Sequence, residues 1–198
     1  MNLPNHLIIN EYFPSITNKS RNDIIKLLYQ NKNRFHQSHK IKGRWENQYL
    51  NVEYIPRVKE IFRFACLEGK NIIGNPLIVP YKELGLPVNE FWFNISKSGE
   101  STGWHNHKDK AILSGVYYLK VPKYSGDIRF RAMVKGHLKE WSIKSEVGKL
   151  VLFSPSINHA VPKNLSNQER ISLAFNLYSL PLELESSHYD YKSEKFYS

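Results

Sequence analysis

The chain has 198 residues, of which 41% are hydrophobic and 13% aromatic, so one domain with a sizeable core is the simplest arrangement. No apolar run is long enough to cross a bilayer and no basic-then-apolar leader follows Met1, which argues for a soluble, cytoplasmic protein without a membrane partner. The single cysteine, Cys66, cannot form an internal disulfide. The net charge of +10 admits a nucleic acid or other acidic partner, but its Lys and Arg are scattered among Asn and Gln without an Arg-rich block.

In chain order, Ser20-Arg21-Asn22-Asp23 predicts a capping box, in which a Ser oxygen accepts from a backbone N–H three residues on. A helix follows with Ile24, Ile25, Leu27 and Leu28 on its apolar face, and a polar stretch then reads as loop to about His39. The second helix has Pro56 at its start, Val58, Ile61, Phe62 and Ala65 at helical spacing, and Gly69 as a left-handed stop. Beyond it the apolar runs become short, β-branched and aromatic: 77–81, 91–95, 112–121, 127–131, 140–143, 149–153 and 171–178. Punctuated by Pro, Gly, Ser and Asn, they predict a β-sandwich or barrel. The chain thus divides into a helical support region, 1–75, a β core, 76–180, and a tail, 181–198, within one domain.

The stretch Trp104-His105-Asn106-His107-Lys108-Asp109 places three potential metal ligands at alternate positions, on one face if the backbone is extended. A second cluster lies in Gly148 to Asn176: a buried strand, His159 at its far end, a polar loop, then Arg170 and Ser172 opening another strand. An Arg and a Ser two places apart on a strand form a carboxylate clamp, a planar two-pronged donor with a hydroxyl beside it. The remaining histidines, His6, His36, His39, His137 and His188, belong to no such constellation and are expected to be exposed.

An H-x-H or H-x-D pair, the strand Leu113-Ser114-Gly115-Val116-Tyr117-Tyr118-Leu119, G-K-L-V-L-F-S-P-S-x-x-H, and Arg170-x-Ser172 eleven residues after His159 together resemble the Fe(II)- and 2-oxoglutarate-dependent oxygenases. More narrowly, they resemble the 2-oxoglutarate oxygenase family found in bacteria and phages. The resemblance covers roughly Phe91 to Tyr178. It implies a mainly β (α+β) fold, a double-stranded β-helix or cupin-like jelly roll, with the N-terminal helices packed on one sheet. It also implies Fe(II), 2-oxoglutarate and O2 as cofactor and co-substrates, with oxidative decarboxylation to succinate and CO2 coupled to hydroxylation.

By the same resemblance His107 and His159 are iron ligands, and the third is His105 or Asp109. Three protein ligands on one face of the ion leave positions open for keto acid and oxygen. Tyr118 is placed beside Arg170 against the far carboxylate of 2-oxoglutarate, and Asn94 is a candidate hydrogen-bonding partner of the co-substrate. The substrate, small molecule or polypeptide, is expected to be read by the loops 96–103 and 133–139. Two rival functions keep the roll: a cupin-like binding module without catalysis, and a three-histidine dioxygenase that uses no keto acid. Both leave Arg170 and Ser172 unexplained.

Overall fold

The computed structural model describes residues 7–41, 44–86, 89–107 and 111–182. In chain order these form β1 (Ile9–Tyr12), α1 (Asn18–Gln30), β2 (His36–Ile41), β3 (Arg44–Tyr49), α2 (Val58–Ile73), β4 (Leu77–Ile78), β5 (Phe91–Ser96), β6 (Thr102–His105), β7 (Leu113–Lys120), β8 (Ile128–Val134), β9 (His137–Ile143), β10 (Leu150–Phe153), β11 (Asn158–Val161) and β12 (Arg170–Ser179). The major sheet runs β1-β10-β7-β12-β5-β3-β2, with β4 also pairing with β12, and the minor sheet runs β6-β11-β8-β9. Every pairing is antiparallel. This is the double-stranded β-helix that the sequence implies.

Alternation along β12 divides the core in two. Ile171, Leu173, Phe175 and Leu177 point to one side, where they pack with Ile24 and Leu28 of α1 and with Val58, Ile61, Phe62 and Ala65 of α2. The Phe62 ring lies 5.2 Å from that of Phe91 and 5.5 Å from that of Phe175, which fixes α2 across the sheet. Each such fully buried side chain contributes about 1.5–3 kcal/mol. On the other side, Val116 and Tyr118 of β7 and Val151 and Phe153 of β10 meet Ile128 and Phe130 of β8 and Ile143 of β9, closing one end of the space between the sheets. The helices therefore brace the outer face of the major sheet and leave its inner face to the cleft.

Several local expectations need correction. α1 begins before Ser20: Thr17, with extended φ and ψ of −66° and 155°, is the N-cap and accepts from the Ser20 backbone N–H at 3.0 Å. Ser20 is itself buried in the first turn. α2 runs past Gly69 to Gly74, whose φ of 84° supplies the left-handed cap. Gly69 is there for closeness, because a Cβ on it would lie 2.6 Å from Leu77 Cδ1.

The polar stretch after α1 is not all loop. A 3-10 turn at Lys32–Arg34 leads into the β2–β3 hairpin, which forms an edge of the major sheet, where polar side chains are tolerated. The region 1–75 accordingly supplies three strands as well as two helices. Of the tail, residues 183–198 lie outside the described residues. Among the described residues, no helix is long and apolar enough to cross a membrane.

Gly115 on β7 marks where the sheet is tightest. A Cβ there would sit 2.4 Å from Phe175 Cε2 and 3.1 Å from Leu152 Cδ2, and the Phe175 ring is fully buried and cannot swing away. Gly115→Ala is expected to destabilise the fold by about 1–3 kcal/mol through overpacking. Urea denaturation at constant m-value measures this, and an unchanged midpoint would show that the Phe175 and Leu152 side chains can shift to admit a methyl group.

Candidate functional site

A cleft of about 450 Å3 opens between the two sheets. At one end of it, β6 and β11 lie antiparallel with His105 and His159 as direct cross-strand partners. His107 follows just beyond β6, its backbone N–H held by the Pro155 carbonyl at 2.9 Å. The three imidazoles converge, so that one nitrogen from each lies within 4.8 Å of the others. Ring centroids are 4.2 Å apart for His105 and His159, 5.2 Å for His107 and His159, and 5.4 Å for His105 and His107.

The orientation of two rings is fixed locally. His105 Nδ1 lies 2.9 Å from the Gly103 carbonyl and His159 Nδ1 3.0 Å from the Ile157 carbonyl, each two residues upstream. A carbonyl can only accept, so Nδ1 carries the proton and Nε2 keeps its lone pair for a metal. Burial, and then the neighbouring His105 and His107, hold the His159 pKa well below 6.5, so this ring is neutral and ready to ligate. Phe130, Phe153 and Trp92 line the outside of the cluster, with the Trp92 ring 5.6 Å from that of His107. Three converging imidazoles, two of them with their tautomer fixed, are a donor set suited to a divalent transition metal, iron among them. Asp109, the other candidate for third ligand, lies outside the described residues.

Deeper in the cleft, Ser172 of β12 pairs with Asn94 on β5 and with Tyr118 on β7, so three of the residues singled out in the sequence form one row across three strands. Arg170, two places along the same face, is 3% exposed; its Nη2 donates to Ser145 Oγ at 3.3 Å and its guanidinium stacks 5.1 Å from the Tyr118 ring centroid. Arg170 and Ser172 line the cleft, whereas Tyr118 stands under the guanidinium. Burial pushes the Tyr118 hydroxyl pKa up, opposed by the Arg170 charge and by Ser145 beside it. Among the described residues, no hydrogen bond of normal geometry reaches that hydroxyl. A buried cation above an unsatisfied hydroxyl is an environment that an incoming carboxylate would complete. Asn94 reaches the cleft, but its amide is engaged: Nδ2 donates to the Glu46 carbonyl at 2.9 Å and to Asn47 Oδ1 at 3.4 Å.

Of the two loops expected to read the substrate, 96–103 contributes Thr102 and Gly103 to the lining, while 133–139 is a tight β8–β9 turn away from it. Other parts of the wall are not singled out by the motifs, among them Glu90 and Trp92 on the approach to and start of β5, and Asn176 on β12. The signal that points to it is the same alternation that orders β7, since Glu90, Trp92 and Asn94 stand at every second position. His36 and His137 are exposed, as expected.

A family model described as "Putative 2OG-Fe(II) oxygenase" matches residues 90–138 and 131–176, which together hold all three histidines, Arg170 and Ser172. Solved structures agree in fold. The non-heme α-ketoglutarate-dependent epimerase SnoN from nogalamycin biosynthesis is 11% identical with a TM-score of 0.67, over 86% of this chain and 76% of its own. It has also been solved with Fe3+, α-ketoglutarate and nogalamycin RO. A prolyl-4-hydroxylase from Pseudomonas putida is 16% identical with a TM-score of 0.60, over 86% of this chain and 92% of its own. AviO1 from Streptomyces viridochromogenes Tue57 is 10% identical with a TM-score of 0.62, over 88% and 90%. No curated protein matches the sequence.

Proposed function

We propose, from the match of residues 90–176 to the 2OG-Fe(II) oxygenase family model, that this chain is a hydroxylase of that kind whose iron is held by His105, His107 and His159 and whose keto acid is clamped by Arg170 and Ser172. Iron and 2-oxoglutarate, when bound, supply the oxidising chemistry: the keto acid loses CO2 to give succinate while one atom of O2 goes into succinate and the other into a substrate C–H bond. The chain's own residues bind and orient. The Gly103 and Ile157 carbonyls keep two imidazoles in the tautomer that presents Nε2. Arg170 and Ser172, on one face of β12, supply donors for the far carboxylate, and Tyr118 supports the guanidinium from below. Trp92, Phe130 and Phe153 exclude water around the imidazoles.

The observation that carries this reading is the occurrence in one cleft of a three-imidazole cluster and a buried Arg/Ser pair. A binding module has no use for the first, and a keto-acid-independent dioxygenase has none for the second. Hydroxylation is favoured because, among the described residues, the only carboxyls lining the cleft are Glu46 and Glu90, and Glu90 is engaged in hydrogen bonds. The test is succinate formation from 2-oxoglutarate by the purified protein with Fe(II) and ascorbate under air. Succinate should appear, stop on chelation of iron, and be absent under nitrogen. Oxygen consumption that needs iron but is indifferent to 2-oxoglutarate would instead support the three-histidine dioxygenase.

A further inference from the structure

Glu90 is a carboxyl 7% exposed at the wall of the cleft. It accepts from Asn176 Nδ2 at 3.0 Å and from the Tyr178 hydroxyl. Asn176 is in turn held by Ser114, whose hydroxyl donates to Asn176 Oδ1 at 2.9 Å. All these donors are neutral. Among the described residues no Lys, Arg or His forms an ion pair with Glu90 or shifts its titration, and burial pushes its pKa up for want of one. Buried carboxylates are ordinarily matched by a cation, because leaving water without one costs several kcal/mol.

The place of Glu90 matters as much as its chemistry. Ser114, Asn176 and Glu90 form a row across β7, β12 and the approach to β5, with Asn176 directly opposite Ser114 and its N–H on the Glu90 carbonyl at 2.9 Å. This row is at the opposite end of the inner face from Arg170 and Ser172, at the start of β7. Two residues along from Glu90, Trp92 faces the same way, with its ring 5.6 Å from His107 and 6.2 Å from Tyr49. A group held by Glu90 therefore lies beside aromatic side chains that extend along the cleft to His107.

We propose that Glu90, oriented by Asn176 and Tyr178, is the recognition residue for a cationic nitrogen on the primary substrate, an ammonium or guanidinium group, with Trp92 and Tyr49 guiding the attached carbon chain toward the metal end. A substrate cation supplies the missing counter-charge, and its N–H groups reach the carboxylate oxygens that the neutral donors leave open. Aromatic faces add attraction to the cation and cover its methylenes. The cationic arm thus anchors at one end of the cleft while the keto acid, an anion, anchors at the other on Arg170. The two ligands are sorted by charge and neither competes for the other's subsite. This inference rests on the oxygenase reading of the same cleft.

The experiment uses the full chain loaded with Mn(II) and 2-oxoglutarate, which gives no turnover and relaxes the proton resonances of anything bound near the metal. The probes are butylammonium, butylguanidinium, and the neutral 1-butanol and butylurea. Relaxation of the 2-oxoglutarate methylenes reports on the oxygenase reading alone, and its absence would sink that reading whatever the probes do. With the keto acid seen to bind, at least one cationic probe should be relaxed and bind on the order of tenfold to a hundredfold more tightly than its neutral counterpart. The two cations separate an amine from a guanidine substrate.

Glu90→Gln keeps the shape and the Asn176 contact and should abolish the preference while leaving 2-oxoglutarate relaxation unchanged. Cationic and neutral probes binding alike in the wild type would overturn the proposal. So would a preference that survives Glu90→Gln, or one that disappears instead with Glu46→Gln, the other carboxyl at the cleft wall. Should Glu90→Gln fail to fold, Glu90→Asp, which draws the charge back by one methylene, must weaken the cationic probes and not the neutral ones.

Discussion

Arg170→Leu should cost the protein its keto acid and leave its iron. The guanidinium is buried at 3% exposure, lines the cleft, and is the one cation at its deep end among the described residues. Its loss forces the far carboxylate of 2-oxoglutarate to shed water without a charged partner, a cost of about 2–5 kcal/mol, or roughly thirty- to several-thousand-fold in affinity. The fold should survive, because replacing a buried charge by an apolar side chain of similar size is often neutral for stability. Anaerobic titration of the iron-loaded protein, followed by the visible charge-transfer band of the iron and keto-acid complex, reads the effect. Arg170→Lys should recover part of the loss, since a point charge attracts the carboxylate but cannot meet both oxygens in a plane. Ser172→Ala should give a milder version of the same loss. If iron affinity fell in step with that for 2-oxoglutarate in Arg170→Leu, the arginine would be holding the histidines in place and not the keto acid.

The second large effect is on the metal. His159→Ala and His107→Ala should each weaken Fe(II) binding by more than about a hundredfold, because loss of a direct ligand exceeds the tenfold to hundredfold typical of an outer-shell partner. His105→Ala and Asp109→Ala, compared by equilibrium dialysis, decide the third position: metal loss in the first alone gives an all-imidazole site, and loss in the second alone gives two histidines and a carboxylate. Acid should act on the same cluster. His159 has its pKa depressed by burial and by its two neighbours, so the unfolded chain takes up a proton near pH 6.5 while the folded chain waits until lower pH. The stability that this contributes is complete above about pH 6.5 and is lost as pH falls toward the folded value. Denaturation of the metal-free protein between pH 7.5 and 5.5 should show this slope, and His159→Asn should reduce it.

Legibility in the sequence follows the strength of alternation. β7 and β12 combine an apolar outer face with a cleft-side face that holds most of their polar residues, so the period of two alone separates Tyr117 and Tyr118 onto opposite sides and brings Arg170 and Ser172 together. β6 and β11 escape such a reading because each has four residues, among them Gly, Asn and His, which look like turn chemistry. It is the other strand, and not the sequence around it, that makes each of them extended. The β2–β3 hairpin looks like loop for a related reason: at an edge, pairing can hold a strand that has no apolar face of its own. Gly69 misleads because a glycine that stops a helix and one that lets a leucine approach look alike in sequence. Spacing and resemblance single out His107 and His159 as candidate ligands, but the convergence of His105 on the same point depends on the cross-strand partnership of His105 and His159.

One consequence of the sheet order concerns length. β12 lies between β7 and β5 and turns Arg170, Ser172, Ala174, Asn176 and Tyr178 toward the cleft, so a single strand serves as the scale on which the interior is laid out. Side chains on one face recur about every 6.8 Å along a strand, which puts about 20 Å of backbone between Arg170 and Asn176. That span is a property of the peptide repeat and cannot be altered by substituting the residues that mark it. A slip of one place would turn Ile171, Leu173 and Phe175 into the cleft and the polar set into the helix-packed core, losing ligand sites and core together. Selection for larger or smaller ligands therefore has to work through strand ends and facing walls, while the metric of the cleft stays as fixed as the fold.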